Sequence, residues 1–165
     1  MQVDIFLDRD GTLIRDTGYI SKKNDVEVLE GVIDGLKLFR EKGYRLHIVS
    51  NQSGVPRGII SELEFRELER HIDSLFLGQG IVFDSPNYCF HFPTDGCECR
   101  KPKSGLFENV SSEYAISELT SAMVGDSEVD MEAAKNFGIP FWKVELPEVD
   151  FYEIARKVVR NFEGF

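Results

Sequence analysis

No stretch of this chain is apolar for long enough to cross a membrane; the longest hydrophobic runs are the length of a β-strand. Basic residues are in deficit: 19 Lys and Arg stand against 29 Asp and Glu, a formal net charge of −10. A protein that tracks a nucleic-acid backbone carries a basic face, so neither nucleic acid nor membrane is expected as a partner. Cysteine is absent except for Cys89, Cys97 and Cys99. An odd, tightly clustered set is no disulfide framework. The N-terminus runs almost directly into the first apolar segment, so nothing resembles a signal peptide. Together these features point to metal ligation by the cysteines and to a cytoplasmic location, and a monomer is the expected state. Linkers, internal repeats and low-complexity tracts are missing too. With 165 residues and 42% hydrophobic content, one domain with a real core is expected.

What the chain does contain is an alternation of strand-like and helix-like segments. Val3–Leu7, Tyr44–Ser50, Asn87–His91, Ala122–Val124 and Phe141–Val144 read as strands. Between them, Val32, Ile33, Leu36 and Phe39 have helical spacing, with Gly43 as a stop. Ser61 and Glu64 form a capping box ahead of a stripe of Phe65, Leu68, Ile72, Leu75 and Phe76. Ser104 opens a further helix, and Met131, Ala134 and Phe137 mark another. Phe151, Ile154, Ala155, Val158, Val159 and Phe162 make the clearest amphipathic helix. Residues 12–30 read as a loop or small hairpin. This alternation predicts an α/β fold, a parallel sheet flanked by helices on both faces. Ligands of such sheets sit beyond the carboxyl ends of the strands. Three of the predicted strands end in polar clusters: Asp8 and Asp10, Ser50 and Asn51, and Asp126.

The first of these clusters carries the most chemistry. Residues i and i+2 of an extended chain point the same way, so Asp8 and Asp10 address one spot past the end of the first strand. Two carboxylates held close repel unless a proton or a cation lies between them, and a hard, oxygen-loving ion such as Mg²⁺ suits them. A second constellation is Cys89-Phe90-His91 followed by Cys97-Glu98-Cys99. Three thiolates and one imidazole in two close pairs can close a tetrahedral Zn²⁺ site. Four protein ligands leave no open position, which makes that zinc structural.

Asp8-Arg9-Asp10-Gly11-Thr12-Leu13 resembles the first motif of the haloacid dehalogenase (HAD) superfamily. Ser50 resembles its second motif, Lys101 its third, and Gly125-Asp126-Ser127-Glu128-Val129-Asp130 its acidic fourth. The resemblance covers about residues 3–140 and implies a HAD-like Rossmannoid sheet and a Mg²⁺-dependent phosphatase that works through an aspartyl-phosphate. It implies Asp8 as nucleophile and Asp10 as acid and base. Ser50 and Lys101 would hold the phosphoryl oxygens. Mg²⁺ would lie among the Asp8 carboxylate, the Asp10 carbonyl and the Asp126 carboxylate. Asp130 is either a group supporting that metal site or an ordinary first-turn acid. The stretches between Gly11 and Ser50 and between Gly54 and Cys89 are too short for a large cap, so a capless enzyme is expected.

The cysteine loop running into Arg100-Lys101-Pro102 is similar to that of a HAD subgroup with two kinds of member. One kind acts on D-glycero-D-manno-heptose 1,7-bisphosphate, the other on histidinol phosphate. The segments Asp16–Tyr19 and Asn51–Gly58 are closer to the heptose type. The short loop from His91 to Cys97, and Ser127 after Asp126, depart from it. The subgroup resemblance implies a phosphorylated small molecule as substrate, most closely the 7-phosphate of the heptose, with histidinol phosphate as the alternative. Asp16, Thr17, Gly18, Tyr19, Asn51, Gln52, Ser53 and Arg100 would touch it. Arg15, Lys22, Lys23 and Arg57 read as solvated charges unless they meet a second, distant phosphate. His47 and His71 match no motif and read as structural.

Overall fold

The protein is described here by a computed structural model covering residues 1–164. Five strands, β1 (Asp4–Leu7), β2 (Arg45–Asn51), β3 (Ser85–Cys89), β4 (Ser121–Gly125) and β5 (Phe141–Lys143), form one sheet in the order β3-β2-β1-β4-β5. All neighbours pair in parallel. Five helices connect and flank them: α1 (Val32–Glu41), α2 (Glu62–Leu77), α3 (Gly105–Glu113), α4 (Glu128–Phe137) and α5 (Phe151–Glu163).

The central strand β1 is buried along its whole length, as expected of a strand covered on both faces. Side chains alternate across it. Ile5 and Leu7 enter one core with α1, α2 and α5, through residues such as Leu36, Phe39, Phe65, Phe76, Phe151 and Ile154. Phe6 enters the other, with Leu106, Phe107 and Val110 of α3 and Ala133 and Ala134 of α4. The chain winds outward from β1 to β2 and β3, then returns to place β4 on the other side of β1. That reversal is a topological switch point, and the crevice it leaves opens at the carboxyl ends of β1 and β4.

Between β1 and α1 the chain makes only isolated bridges, Asp10 with Ile14 and Ile14 with Val28, and a 3₁₀ turn at Lys23–Asp25. Between β2 and β3 it makes α2 and its loops. No cap domain covers the sheet's carboxyl edge among the described residues, and none of their helices is long and apolar enough to cross a membrane.

Ser61 caps α2 as expected, its Oγ accepting from Glu64 N while the Glu64 carboxylate accepts from Ser61 N. Three details differ from the sequence reading. β3 starts at Ser85 and includes Pro86, which an edge strand tolerates because it has no ladder partner on its outer side. Leu75 is 37% exposed, lying off the buried stripe of α2. Met131 is 45% exposed, and the inward place on the first turn of α4 goes to Asp130. An apolar stripe fails there because that end of α4 abuts a polar rim rather than the core.

Candidate active site

The parallel register brings the ends of four strands to one edge. Asp8 and Asp10 follow β1, Ser50 and Asn51 end β2, Cys89 ends β3 and Asp126 follows β4. A cleft of about 260 Å³ opens there. Asp8, Asp10, Ser50, Lys101, Asp126 and Asp130 all line it. Asp16, Gly18, Tyr19, Asn51, Gln52, Ser53 and Arg100 line it too, with Ile20, Ile60 and Val129 adding apolar wall. Thr17 is exposed and is not among the lining residues.

The floor of the cleft is a charged cluster. Lys101 Nζ, only 3% exposed as a residue, donates to Asp8 Oδ1 at 2.9 Å and to Asp130 Oδ1 at 2.6 Å. Asp8, Asp126 and Asp130 offer oxygens within 4.8 Å of one another. Burial pushes the Asp8 carboxyl well above the usual carboxylate range; Lys101 opposes this, while the Asp130 and Asp126 charges add to it. Burial and the neighbouring Asp130 also raise Asp126. For Lys101, burial works against the charged form, but the two carboxylates outweigh it and lift the ammonium above its usual value. Three carboxylates against one ammonium leave the floor net negative. The all-oxygen donor set fits a hard divalent cation such as Mg²⁺.

The backbone around this cluster is tight. Gly11 has φ of +86°, and a Cβ there would collide with the Asp126 carboxylate. A Cβ on Gly125 would sit 2.6 Å from Asp130 Oδ2. That oxygen accepts from Asp126 N and Ser127 N, both at 3.3 Å, while Ser127 Oγ accepts from Asp130 N at 3.2 Å. Asp130 is thus both the capping acid of α4 and the anchor of Lys101.

The side chains after β2 are largely engaged with the protein itself. Asn51 brackets the Lys101 backbone, donating through Nδ2 to its carbonyl at 3.0 Å and accepting from its N–H at 2.9 Å. Gln52 Nε2 donates to Ser50 Oγ and to Asp10 Oδ2, both at 3.0 Å. Ser53 Oγ accepts from Arg100 Nη1 at 2.8 Å. Of the outlying cations, Arg15 pairs with Glu27 at 2.7 Å, and Arg57 lies over the rings of Tyr19 and Phe92. His47 is buried against Asp4 at the opposite end of the sheet.

Beside the cleft, the ligand atoms of Cys89, His91, Cys97 and Cys99 also lie within 4.8 Å of one another. Their separations run from 3.1 Å (Cys99 to Cys89) to 3.8 Å (Cys89 to Cys97). A zinc tetrahedron with bonds of about 2.0–2.3 Å has ligand edges of roughly 3.3–3.8 Å. Cys89 to His91 at 3.4 Å and Cys89 to Cys97 at 3.8 Å match those edges, while Cys99 sits closer in and would move outward on binding, so the donor set fits Zn²⁺. Burial and the adjacent Cys99 thiol push the Cys89 thiol up to about 12, so binding a cation there would displace a proton. The loop is also tied to the cleft: His91 O accepts from Arg100 Nη1 at 3.1 Å.

Residues 3–151 match the model of the family described as polynucleotide kinase 3 phosphatase. The chain belongs to this family of HAD-like phosphatases. It is 42% identical over 142 residues to the D-glycero-beta-D-manno-heptose-1,7-bisphosphate 7-phosphatase of Haemophilus ducreyi, covering 82% of this chain and 78% of that one. A probable D-glycero-D-manno-heptose-1,7-bisphosphate 7-phosphatase of Thermoplasma volcanium is 38% identical over 83% of this chain and 94% of its own length. Among solved structures, the D,D-heptose 1,7-bisphosphate phosphatase from B. bronchiseptica, complexed with magnesium and phosphate, superposes with a TM-score of 0.88 at 25% identity. That match covers 96% of this chain and 99% of the other. As a member of this phosphatase family the chain is a phosphoric monoester hydrolase.

Within that family frame, several contributors to the site went unread in the sequence. Thr12 Oγ1 donates to Asp126 Oδ1 at 3.2 Å, joining the first and fourth motifs. Ile60 and Val129 wall the cleft without any chemical signature. Arg9, wholly buried, binds Asp10 from behind the cleft. Its one sequence signal was a long cation inside the otherwise small and acidic turn Asp8–Thr12.

Proposed function

We propose that this phosphatase removes the 7-phosphate of D-glycero-D-manno-heptose 1,7-bisphosphate, with Asp8 as nucleophile. The observation that carries the reaction type is the Asp8 carboxylate at the mouth of β1, held 2.9 Å from the Lys101 ammonium. The substrate rests on the relatives named for that reaction over four fifths of the chain.

In this reading an Asp8 oxygen attacks phosphorus and forms an acyl phosphate while the P–O bond to the sugar breaks. Asp10 gives its proton to the departing sugar oxygen. A water then attacks the same phosphorus and passes a proton to Asp10, and the bond to Asp8 breaks to release inorganic phosphate. A carboxylate is a weak nucleophile, so positioning and charge neutralisation must supply most of the rate. Ser50 and Lys101 hold the non-bridging oxygens, whose charge Lys101 offsets. The Asp8 carboxylate, the Asp10 carbonyl and the Asp126 carboxylate would hold Mg²⁺, which supplies further neutralisation of the phosphoryl charge. Asp16, Gly18, Tyr19 and Arg100 face the sugar side, and with no cap the loops at 12–25 and 90–103 select the substrate. Cys89, His91, Cys97 and Cys99 would hold Zn²⁺, which would stiffen the second of these loops.

The test is a comparison of kcat/KM for the heptose bisphosphate, histidinol phosphate and a 3′-phosphorylated oligonucleotide. The heptose is expected to lead by at least about tenfold, a difference of about 1.4 kcal/mol in transition-state stabilisation. A lead of that size for histidinol phosphate moves the enzyme to that substrate. A lead for the oligonucleotide would make the enzyme a nucleic-acid 3′-phosphatase despite the net negative charge of the chain.

A further inference from the structure

Arg9 is the largest fully buried side chain among the described residues and is not one of those lining the cleft. Its guanidinium lies 5.3 Å from the Phe65 ring centroid and 5.7 Å from that of Tyr88. From there Nε donates to Asp10 Oδ1 at 2.7 Å and Nη2 to Asp10 Oδ2 at 3.3 Å. Nη2 also donates to Gln52 Oε1 at 3.1 Å, and Gln52 Nε2 returns to Asp10 Oδ2 at 3.0 Å. Both oxygens of Asp10 are therefore gripped, by two side chains that are themselves packed in place. The third nitrogen, Nη1, is buried and has no hydrogen-bond partner among the described residues.

Burying a cation is costly, and leaving one of its donors unpaired adds to the cost. A hydrophobic residue sandwiched by Phe65 and Tyr88 would serve packing better. A planar fork does one thing such a residue, or a lysine, cannot: it fixes the rotation of a carboxylate by binding both of its oxygens. Proton transfer to a leaving oxygen depends on that orientation.

We infer that Arg9, together with Gln52, is a positioning residue that aims the Asp10 carboxyl at the leaving-group oxygen. The inference rests on the proposed function, in which Asp10 serves as acid and base, and it adds a group that never touches substrate. Arg9 also ties this orientation to the hydroxyl that holds the phosphoryl group, because Gln52 bonds both Asp10 and Ser50.

The test exploits leaving groups. A sugar oxygen needs a proton to depart, whereas p-nitrophenolate leaves as a stable anion. The quantity to compare is kcat/KM, which reports the steps up to departure. Arg9→Met and Gln52→Met are each assayed on the sugar phosphate and on p-nitrophenyl phosphate. With Arg9→Met, activity on the sugar phosphate is expected to fall about 100-fold, and the ratio of the two kcat/KM values to shift at least about tenfold against the sugar. Gln52→Met, which leaves the buried cation in place, is expected to shift the ratio in the same direction by a smaller factor. It carries the test alone if Arg9→Met does not fold. Arg9→Lys, a point charge without the fork, is expected to recover less than half of the loss on a logarithmic scale. Equal losses on both substrates, or none on either, would overturn the inference. Asp8→Asn separates this from the underlying reading: if that variant still hydrolyses both substrates, the aspartyl-phosphate scheme fails first.

Discussion

Lys101 shows at the scale of one residue how a cost becomes a function. Its ammonium sits in the floor of the cleft, between Asp8 and Asp130, where burial alone would disfavour its charge. Asp130 shares with Asp8 the work of keeping that charge in place. Removing one partner of a buried pair leaves the other uncompensated, although relief of repulsion from Asp8 and Asp126 softens the loss here. Asp130→Ala is therefore expected to lower stability by about 3 kcal/mol, read from the urea midpoint, and to reduce kcat on the order of tenfold as Lys101 loses its aim. A stability change under about 1 kcal/mol would mean that Asp8 alone suffices to hold the lysine. Asn51 acts by a similar indirect route. Its amide fixes the Lys101 backbone on both sides, so it bears on the cleft through the lysine.

Among the elements, the segment from Cys89 to Ser104 carries the most consequence for the least regular structure. It contains no helix or strand after β3, yet it supplies Arg100 and Lys101 to the cleft. A stretch so poor in buried apolar groups needs a staple, and the four metal-ligating side chains lie where one would act. Elemental analysis is expected to find about one zinc per chain. Stripping it, or replacing Cys97 by Ser, is expected to lower Tm by at least about 4 °C after Mg²⁺ has been restored in excess. An unchanged Tm would leave the loop standing on its hydrogen bonds alone. This loop also marks how far the sequence could be read. Ligand spacing and strand ends are local patterns, so the cysteine pairs, the order of elements and the gathering of Asp8, Ser50 and Asp126 at one edge were legible. The hidden parts depend on the direction of side chains across distant segments. That Asn51 turns to Lys101, that Arg9 and Gln52 close on Asp10, and that Asp130 displaces Met131 from the inward face of α4 each follow from three-dimensional neighbours that no periodicity encodes.

Across the whole molecule, the two ends of the sheet are electrically unlike. At the carboxyl end, Asp8, Asp126 and Asp130 face one buried ammonium, an imbalance suited to receiving a cation and a phosphoryl group. At the amino end, the single buried carboxylate of Asp4 is matched by its partners. Arg45 Nε and Nη2 donate to its two oxygens at 2.7 and 2.8 Å, and His47 Nε2 lies 2.7 Å from Oδ1. Arg45 in turn covers the Tyr114 ring at 4.9 Å and donates to Ala115 O, which ties β1 and β2 to the end of α3. Burial would raise the Asp4 pKa, but the hydrogen bonds and charges of His47 and Arg45 outweigh it and hold the carboxyl below its usual range. A carboxylate whose folded pKa lies below its unfolded one stabilises the fold fully above the unfolded value. That contribution drains away as pH falls through the folded value. Asp4→Asn should then cost about 2 kcal/mol at neutral pH, and the gap to the wild type should close as the pH drops below about 4. Urea unfolding from pH 7 down to pH 3 reads this directly. A gap that stays constant across that range would mean that Asp4 contributes through packing and not through its charge. It would also remove the case for an electrostatic clamp on β1 and β2 at the amino end.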